Sequence, residues 1–231
     1  MRNFKISALL FAIVCISSVV SATTVLYEQN FDSYVEGSNM NGQGGWADWS
    51  GPSGAGGIVD WVGSVDSDNI LNIAGGSDLV YDGWDFTSGV ISFNIKQYIP
   101  STSTGTTYCI LLNEHIASPD WAMELAFDLN AGTVKDDIDS SLGAFSILTD
   151  QWARIRADIN LDNNTVNVYY EGTLIRSGQW SGASVQLTTV DLYANGAGTV
   201  YYDDVVINSV PEPATLAILG FGCLAVLRGR K

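Results

Sequence analysis

Trp152-Ala-Arg-Ile-Arg-Ala-Asp-Ile-Asn-Leu161 runs into Asp162-Asn163-Asn164, returns as Thr165-Val-Asn-Val-Tyr-Tyr170 and turns again at Glu171-Gly172 into Thr173-Leu174-Ile175. Apolar and polar side chains alternate along each segment, the period of a strand with one face covered and the other wet. The breaks hold Asp, Asn and Gly, which enter tight turns at low cost, so the stretch predicts a three-strand meander. The same rhythm extends both ways, with strands predicted over 79–86, 90–98, 108–113, 123–129, 152–161, 165–170, 185–193 and 200–207. Asp128-Leu-Asn130-Ala-Gly132 reads as one more hairpin turn. No long amphipathic helix interrupts the series, and the expected object is an all-β antiparallel sandwich.

A tryptophan opening a strand, an Asp-Asn-Asn turn, a Val-x-Val-Tyr-Tyr strand and a Glu-Gly turn together resemble the laminin-G and concanavalin-like jelly roll. Glu28-Gln-Asn-Phe-Asp32 and Tyr201-Tyr202-Asp203-Asp204-Val205-Val206-Ile207 resemble the paired first and last strands of that class and of related carbohydrate-binding jelly rolls. The resemblance implies the fold. It leaves the activity open, because this sandwich hosts lectins, adhesins, hydrolases and lyases alike.

Both ends read as addresses. Arg2 and Lys5 precede an apolar run over 6–20, and Val20-Ser21-Ala22 puts small residues before Thr23, the pattern of a signal peptide over 1–22. At the other end Pro211-Glu212-Pro213 leads into an apolar run over 214–227, closed by Arg228-Gly229-Arg230-Lys231. As a helix rising ~1.5 Å per residue that run spans ~21 Å, short of the ~30 Å hydrocarbon layer unless flanking arginine and lysine snorkel. The order of parts resembles the PEP-CTERM sorting tail of exported bacterial proteins. That resemblance implies recognition of Pro211, Glu212, Pro213, Arg228, Arg230 and Lys231 by an exosortase in the inner membrane. It also implies transient anchoring through the short transmembrane helix, loss of the tail, and delivery to the cell surface or extracellular matrix. The alternative is a plain tail anchor. The organisation is then a signal peptide over 1–22, a jelly-roll domain over 23–209 and a sorting tail over 210–231.

Of 25 acidic residues only Glu212 lies in a terminal segment, whereas five of the 10 basic residues do; 24 acids therefore face Lys96, Lys135, Arg154, Arg156 and Arg176, a net charge of −19. A field of that sign repels nucleic acid and anionic lipid and favours solubility or cation binding. Cys109 stands alone between the signals, so the domain holds no internal disulfide.

The residues give little support to catalysis. Glycosidases of this fold place paired carboxylates on one strand as Glu-x-Asp-x-x-Glu, and Glu124 with Asp128 lacks the third acid. His115, the only histidine, reads as a surface residue beside a loop, and neither it nor Cys109 assembles a nucleophilic set. The chain is expected to be no enzyme. A structural Ca²⁺ is implied by the jelly-roll resemblance, with Asp32 at the first strand and Asp203 or Asp204 at the last as ligands; alternation puts those two on opposite faces, so only one can serve. The aromatic candidate is Trp49, in a glycine-rich loop with Asp48, Asn41 and Gln43 able to bind sugar hydroxyls. Trp46, Trp84 and Trp152 are expected in the core, while Trp49 reads equally as core or as ligand platform. These observations predict an exported, non-enzymatic surface or matrix protein that binds extracellular polysaccharide. The alternatives are a polysaccharide hydrolase or lyase, and a purely structural matrix component.

Overall fold

In the computed structural model, residues 23–50, 57–62, 68–115 and 118–210 are described. Thr24–Val210 form one compact unit, and among the described residues there is no helix. The strands are β1 (Thr24–Gln29), β2 (Trp46–Asp48), β3 (Ile58–Asp60), β4 (Ile70–Ile73), β5 (Asp78–Phe86), β6 (Val90–Tyr98), β7 (Thr106–Glu114) and β8 (Asp120–Asp128). They continue as β9 (Thr133–Asp136), β10 (Phe145–Ser146), β11 (Trp152–Asn160), β12 (Thr165–Tyr170), β13 (Thr173–Gln179), β14 (Leu187–Asn195) and β15 (Val200–Ser209). The signal segment and the sorting tail, with both of their expected helices, lie outside the described residues.

Two antiparallel sheets form a sandwich. Sheet A runs β13-β12-β11-β6-β15-β4-β3, with β1 also on β15, and sheet B runs β10-β9-β8-β7-β14-β5-β2. The meander around Trp152–Tyr170 forms as predicted: β11 pairs β12 from Ile155↔Tyr170 to Asn160↔Thr165, and Asn160 Oδ1 accepts the Asn163 N–H at 2.9 Å. Glu171 (φ 44°) and Gly172 (φ 75°) both take the positive φ that a two-residue primed turn requires. On its other edge β11 sets Ile159, Ala157 and Ile155 opposite Ile91, Phe93 and Ile95 of β6. The large Phe93 lies against the small Ala157, which keeps the core layer even.

β1 pairs β15 from Thr24↔Ser209 to Gln29↔Val205, so first and last strands lie side by side. In β15 the buried positions switch parity, from Val200 and Tyr202 to Val205 and Ile207. A β-bulge between Asp203 and Val206 makes the switch, with Asp204 at φ 48° supplying the extra residue. Simple alternation of Asp203 and Asp204 is thereby broken.

Phe31, Trp46, Trp84, Phe93, Phe127, Trp180 and Tyr202 fill the space between the sheets. Trp46 and Trp84 are core, as expected; Trp152 is not. Ala153, Ile155, Ala157 and Ile159 take the inward positions of β11, so Trp152 lies half-exposed on the outer face against Tyr98, with centroids 5.7 Å apart. Cys109 is fully buried, and burial pushes its thiol far up. It stays protonated and is no nucleophile.

Candidate functional site

Alternation in sheet B sends one row of side chains inward and the next outward. Val190, Leu192 and Ala194 of β14 enter the core, which turns Asp191 and Tyr193 out. By the same parity Asp78 and Val80 of β5, Tyr108 and Ile110 of β7, and Glu124 of β8 face outward. Register then assembles two rows across the sheet, Val80–Asp191–Ile110–Glu124 and Asp78–Tyr193–Tyr108–Ala126–Lys135. The Tyr108 and Tyr193 rings stack at 5.8 Å and 18°. Three carboxyl groups therefore sit on an apolar and aromatic floor. Above it opens a cleft of about 450 Å³, with Trp49, Pro119 and Trp121 as its walls.

Asp191 is only 3% exposed, because Val80 and Ile110 flank it on the neighbouring strands. Burial drives its carboxyl well above the usual carboxylate range, and the nearby Asp78 and Glu124 charges add to the rise. Asp78 is also raised by burial, although a hydrogen bond from Asp191 works in the opposite direction. Neighbouring carboxylates do not both ionise readily, and here the proton is held more tightly by the more deeply buried Asp191. Neither Asp78 Oδ1 nor Asp191 Oδ1 accepts a hydrogen bond from any protein donor among the described residues. Glu124 is raised by burial, then by Asp137 and Asp136, with Lys135 opposing.

Trp49 follows β2, and its N–H donates to the Asp78 carbonyl at 3.0 Å. Its indole lies 6.1 Å from Trp121, the planes 14° apart, and 4.5 Å from the His115 ring. Trp121 is 41% exposed. Strict alternation with Met123, Leu125 and Phe127 would send Trp121 into the core. A bulge opposite Leu111 and Leu112 leaves Ala122 as the extra residue and turns the indole out. His115, expected on the surface, is largely buried: its side chain is 11% exposed and Nδ1 lies 3.1 Å from Asp82 Oδ2. Asp82 Oδ1 in turn accepts the Thr189 hydroxyl at 2.8 Å.

Of the four residues proposed from the glycine-rich loop, Trp49 alone lines this cleft. Asn41 Oδ1 accepts the Asp48 N–H at 3.2 Å. The buried Asp48 carboxylate accepts the Ser50 N–H at 2.9 Å, and Gln43 Nε2 donates to Ser38 Oγ at 3.1 Å and to the Asn39 carbonyl at 2.6 Å. These groups brace the loop. Two of its glycines serve packing: a Cβ at Gly44 would overlap the Tyr34 hydroxyl, and one at Gly45 would come within 2.9 Å of the Tyr81 ring.

The acids proposed for calcium have protein partners. Asp32 accepts from the Asn30 amide at 2.6 Å and the Asn69 N–H at 3.2 Å. Asp203 accepts the Asp204 N–H at 2.7 Å, and Asp204 pairs with Lys96 at 2.6 Å. Among the described residues no three His, Cys, Asp or Glu side chains converge to hold a metal ion. Lys96, Arg154 and Arg156 gather on the outer face of sheet A, but Lys96 is held by Asp204, and Arg156 by Asp158 at 3.2 Å and the Tyr169 ring at 4.2 Å.

Residues 209–231 match the PEP-CTERM protein-sorting motif, which marks the chain for export and sorting to the cell surface or the exterior, and implies handling by an exosortase-type enzyme. No curated protein matches the sequence. In three dimensions the chain is similar to the catalytic domain of a glycoside hydrolase family 131 protein from Coprinopsis cinerea, with TM-score 0.55, 14% identity, and 82% of this chain and 96% of that one covered. It is similar also to the carbohydrate recognition domain of Emp47p, with TM-score 0.54, 10% identity, and 84% and 100% covered. A sialidase aligns over 80% of this chain with TM-score 0.55 and 8% identity, but this chain spans only 18% of the sialidase's length. At such identities the likeness establishes the fold alone, a jelly roll of the kind that carbohydrate-handling domains use.

Proposed function

We propose that the domain is a non-enzymatic glycan-binding module of the cell surface or extracellular matrix, and that the outer face of sheet B is its binding face. One observation carries this reading: Trp121, 41% exposed, lies nearly parallel to Trp49 over a cleft with carboxyl acceptors on its floor. A flat indole stacks on the apolar face of a pyranose ring while acceptors below take its hydroxyls. At about 450 Å³ the cleft lies within the range of small-ligand sites.

A second reading, hydrolysis, is favoured by Asp191 and Glu124 standing on the same face on either side of Ile110. Two strand spacings separate them by about 10 Å, near the upper end of the ~6.5–9.5 Å between the carboxyl groups of inverting glycosidases. The test is a glycan array with the full-length protein and its Trp121→Ala variant, followed by assay of the bound glycan for new reducing ends. Binding lost in Trp121→Ala, with no new reducing ends, supports the module. Release of reducing ends that stops in Glu124→Gln would replace it with the enzyme, and an array without any hit would remove glycan from the account.

A further inference from the structure

The last strand and the sorting motif overlap. β15 runs to Ser209, and the motif match begins at that same residue. The end of β15 carries a ladder on both sides: Asn208 and Ser209 pair with Val25 and Thr24 of β1, and with Ser92 and Ile91 of β6. The Ser209 hydroxyl accepts the Thr24 N–H at 3.2 Å and lies 3.4 Å from the Thr24 carbonyl. One residue on, the Val210 N–H donates to the Val90 carbonyl at 2.7 Å. The chain is thus hydrogen-bonded into the sheet up to the residue before Pro211. Only Pro211-Glu212-Pro213 separate Val210 from the apolar run, and three extended residues span at most about 11 Å. With that run in a bilayer, the polar layer of about 5–8 Å on each side takes most of the distance.

Resting on removal of the tail by the sorting enzyme, we propose that the end of β15 is a built-in brake on that step: Asn208, Ser209 and Val210 must peel from β1 and β6 before the enzyme can engage Pro211-Glu212-Pro213. A segment paired in a sheet is cut only through its open state, and here the paired segment abuts the motif with no spacer. The end of the strand suits a limited opening. Val205 and Ile207 are fully buried and hold β15 in the core, whereas Asn208 and Ser209 are half-buried and Val210 is 38% exposed. Peeling therefore stops at Ile207 and leaves no cavity behind. It lengthens the leash from three residues to six, 208–213, about 22 Å at full extension. Once the tail is gone, Ser209 and Val210 pair again, and the two ends of the domain close side by side at Thr24 and Ser209.

Pulse–chase labelling of the full-length chain, in a host that carries the sorting enzyme, reads the rate of tail loss. Thr24→Cys with Ser209→Cys sets a disulfide across directly paired positions, whose Cα spacing of about 4.5–5.5 Å suits the bond; the buried Cys109 stays out of it. The locked chain is expected to lose its tail about tenfold or more slowly than wild type and than either single-cysteine chain, because cutting follows the open population. Inserting about eight Gly and Ser residues between Val210 and Pro211 adds up to ~29 Å of leash and leaves the ladder intact. That spacer is expected to speed tail loss in the wild-type background and to restore it in the locked chain; should the locked chain fold poorly, the wild-type background decides alone. Tail loss as fast in the locked chain as in wild type overturns the brake and leaves the sorting reading standing, and so does a spacer that changes neither rate. A tail kept by every variant, spacer included, overturns the sorting reading and the brake with it.

Discussion

Arg176 is a buried, paired cation outside the cleft. It comes from β13 and is 3% exposed, and its Nη1 lies 3.1 Å from the fully buried Asp136 of β9. It also donates to the Ala122 carbonyl and, through Nη2, to the Gln179 carbonyl at 2.6 Å. Asp136 Oδ1 meanwhile accepts the N–H groups of Ile138 at 2.9 Å and Glu124 at 3.4 Å. The pair thus clamps both sides of the bulge that turns Trp121 outward and sets Glu124 on the floor. Arg176→Met keeps the length of the side chain and leaves Asp136 as a buried charge without a counter-ion. Removing one partner of a buried pair costs roughly 3–5 kcal/mol, and at about 2–4 °C per kcal/mol for a domain of this size the melting temperature falls by about 6–20 °C. Urea and thermal unfolding measure the loss, and adding Asp136→Asn should recover part of it by removing the stranded charge. Below its melting point Arg176→Met should also bind glycan more weakly, since the bulge loses its clamp. A single variant that melts within about 1 kcal/mol of wild type would refute both the assigned energy and the positioning argument.

The raised carboxyl groups make stability depend on pH. Asp191, Asp78 and Glu124 hold protons more tightly when folded, so their contribution is complete below the ordinary carboxylate range near pH ~4 and is lost as pH rises through the folded values. Asp139 and Asp150, held low chiefly by hydrogen bonds from Ser141 and Ser101, act in the opposite sense at lower pH. Asp191→Asn should therefore flatten the decline of melting temperature from mildly acid to alkaline pH and melt above wild type at the alkaline end; an unchanged slope refutes the raised Asp191 carboxyl. With Asp204 on Lys96 and Asp32 on Asn30 and Asn69, EGTA should leave the melting temperature unmoved. A fall reversed by Ca²⁺, and abolished in Asp32→Ala, would establish the calcium tie between first and last strands. Mass spectrometry of the surface-exposed protein should find Thr23 at the start and the tail lost after about Pro213, whereas intact Lys231 in that pool would mean a plain anchor.

Much of the sandwich was legible because its strands obey period two. Val90–Tyr98 and Thr165–Tyr170 fall where alternation and turn residues put them, and the other predicted strands differ by a few residues at their ends. The short strands β2, β3, β4, β9 and β10, of two to four residues each, could not be read. Too few alternations fit within them to separate a strand from a loop, and their pairing is fixed by longer neighbours. The error on Trp152 has a physical source. Residue type places a tryptophan inside, but parity decides which way it points. Parity set Trp152 outward in a regular strand, and a bulge reversed it for Trp121.

The cleft was illegible for a different reason. Asp78, Ile110, Glu124 and Asp191 come from four strands, and no spacing in the sequence relates them; only register makes them neighbours. Thr189-Val190-Asp191-Leu192-Tyr193 reads as an ordinary half-exposed strand whose aspartate faces water. What removes the water is Val80 on one side and Ile110 on the other, two apolar side chains some 111 and 81 residues away in the chain, with Asp78 one step along the sheet. The same substitution pattern on an edge strand would give a solvated acid of no consequence. A buried carboxyl group beneath two parallel indoles is therefore a property of the pairing, and a sequence reader can find such a site only by first committing to a register and then asking which acids it leaves with apolar neighbours on both sides.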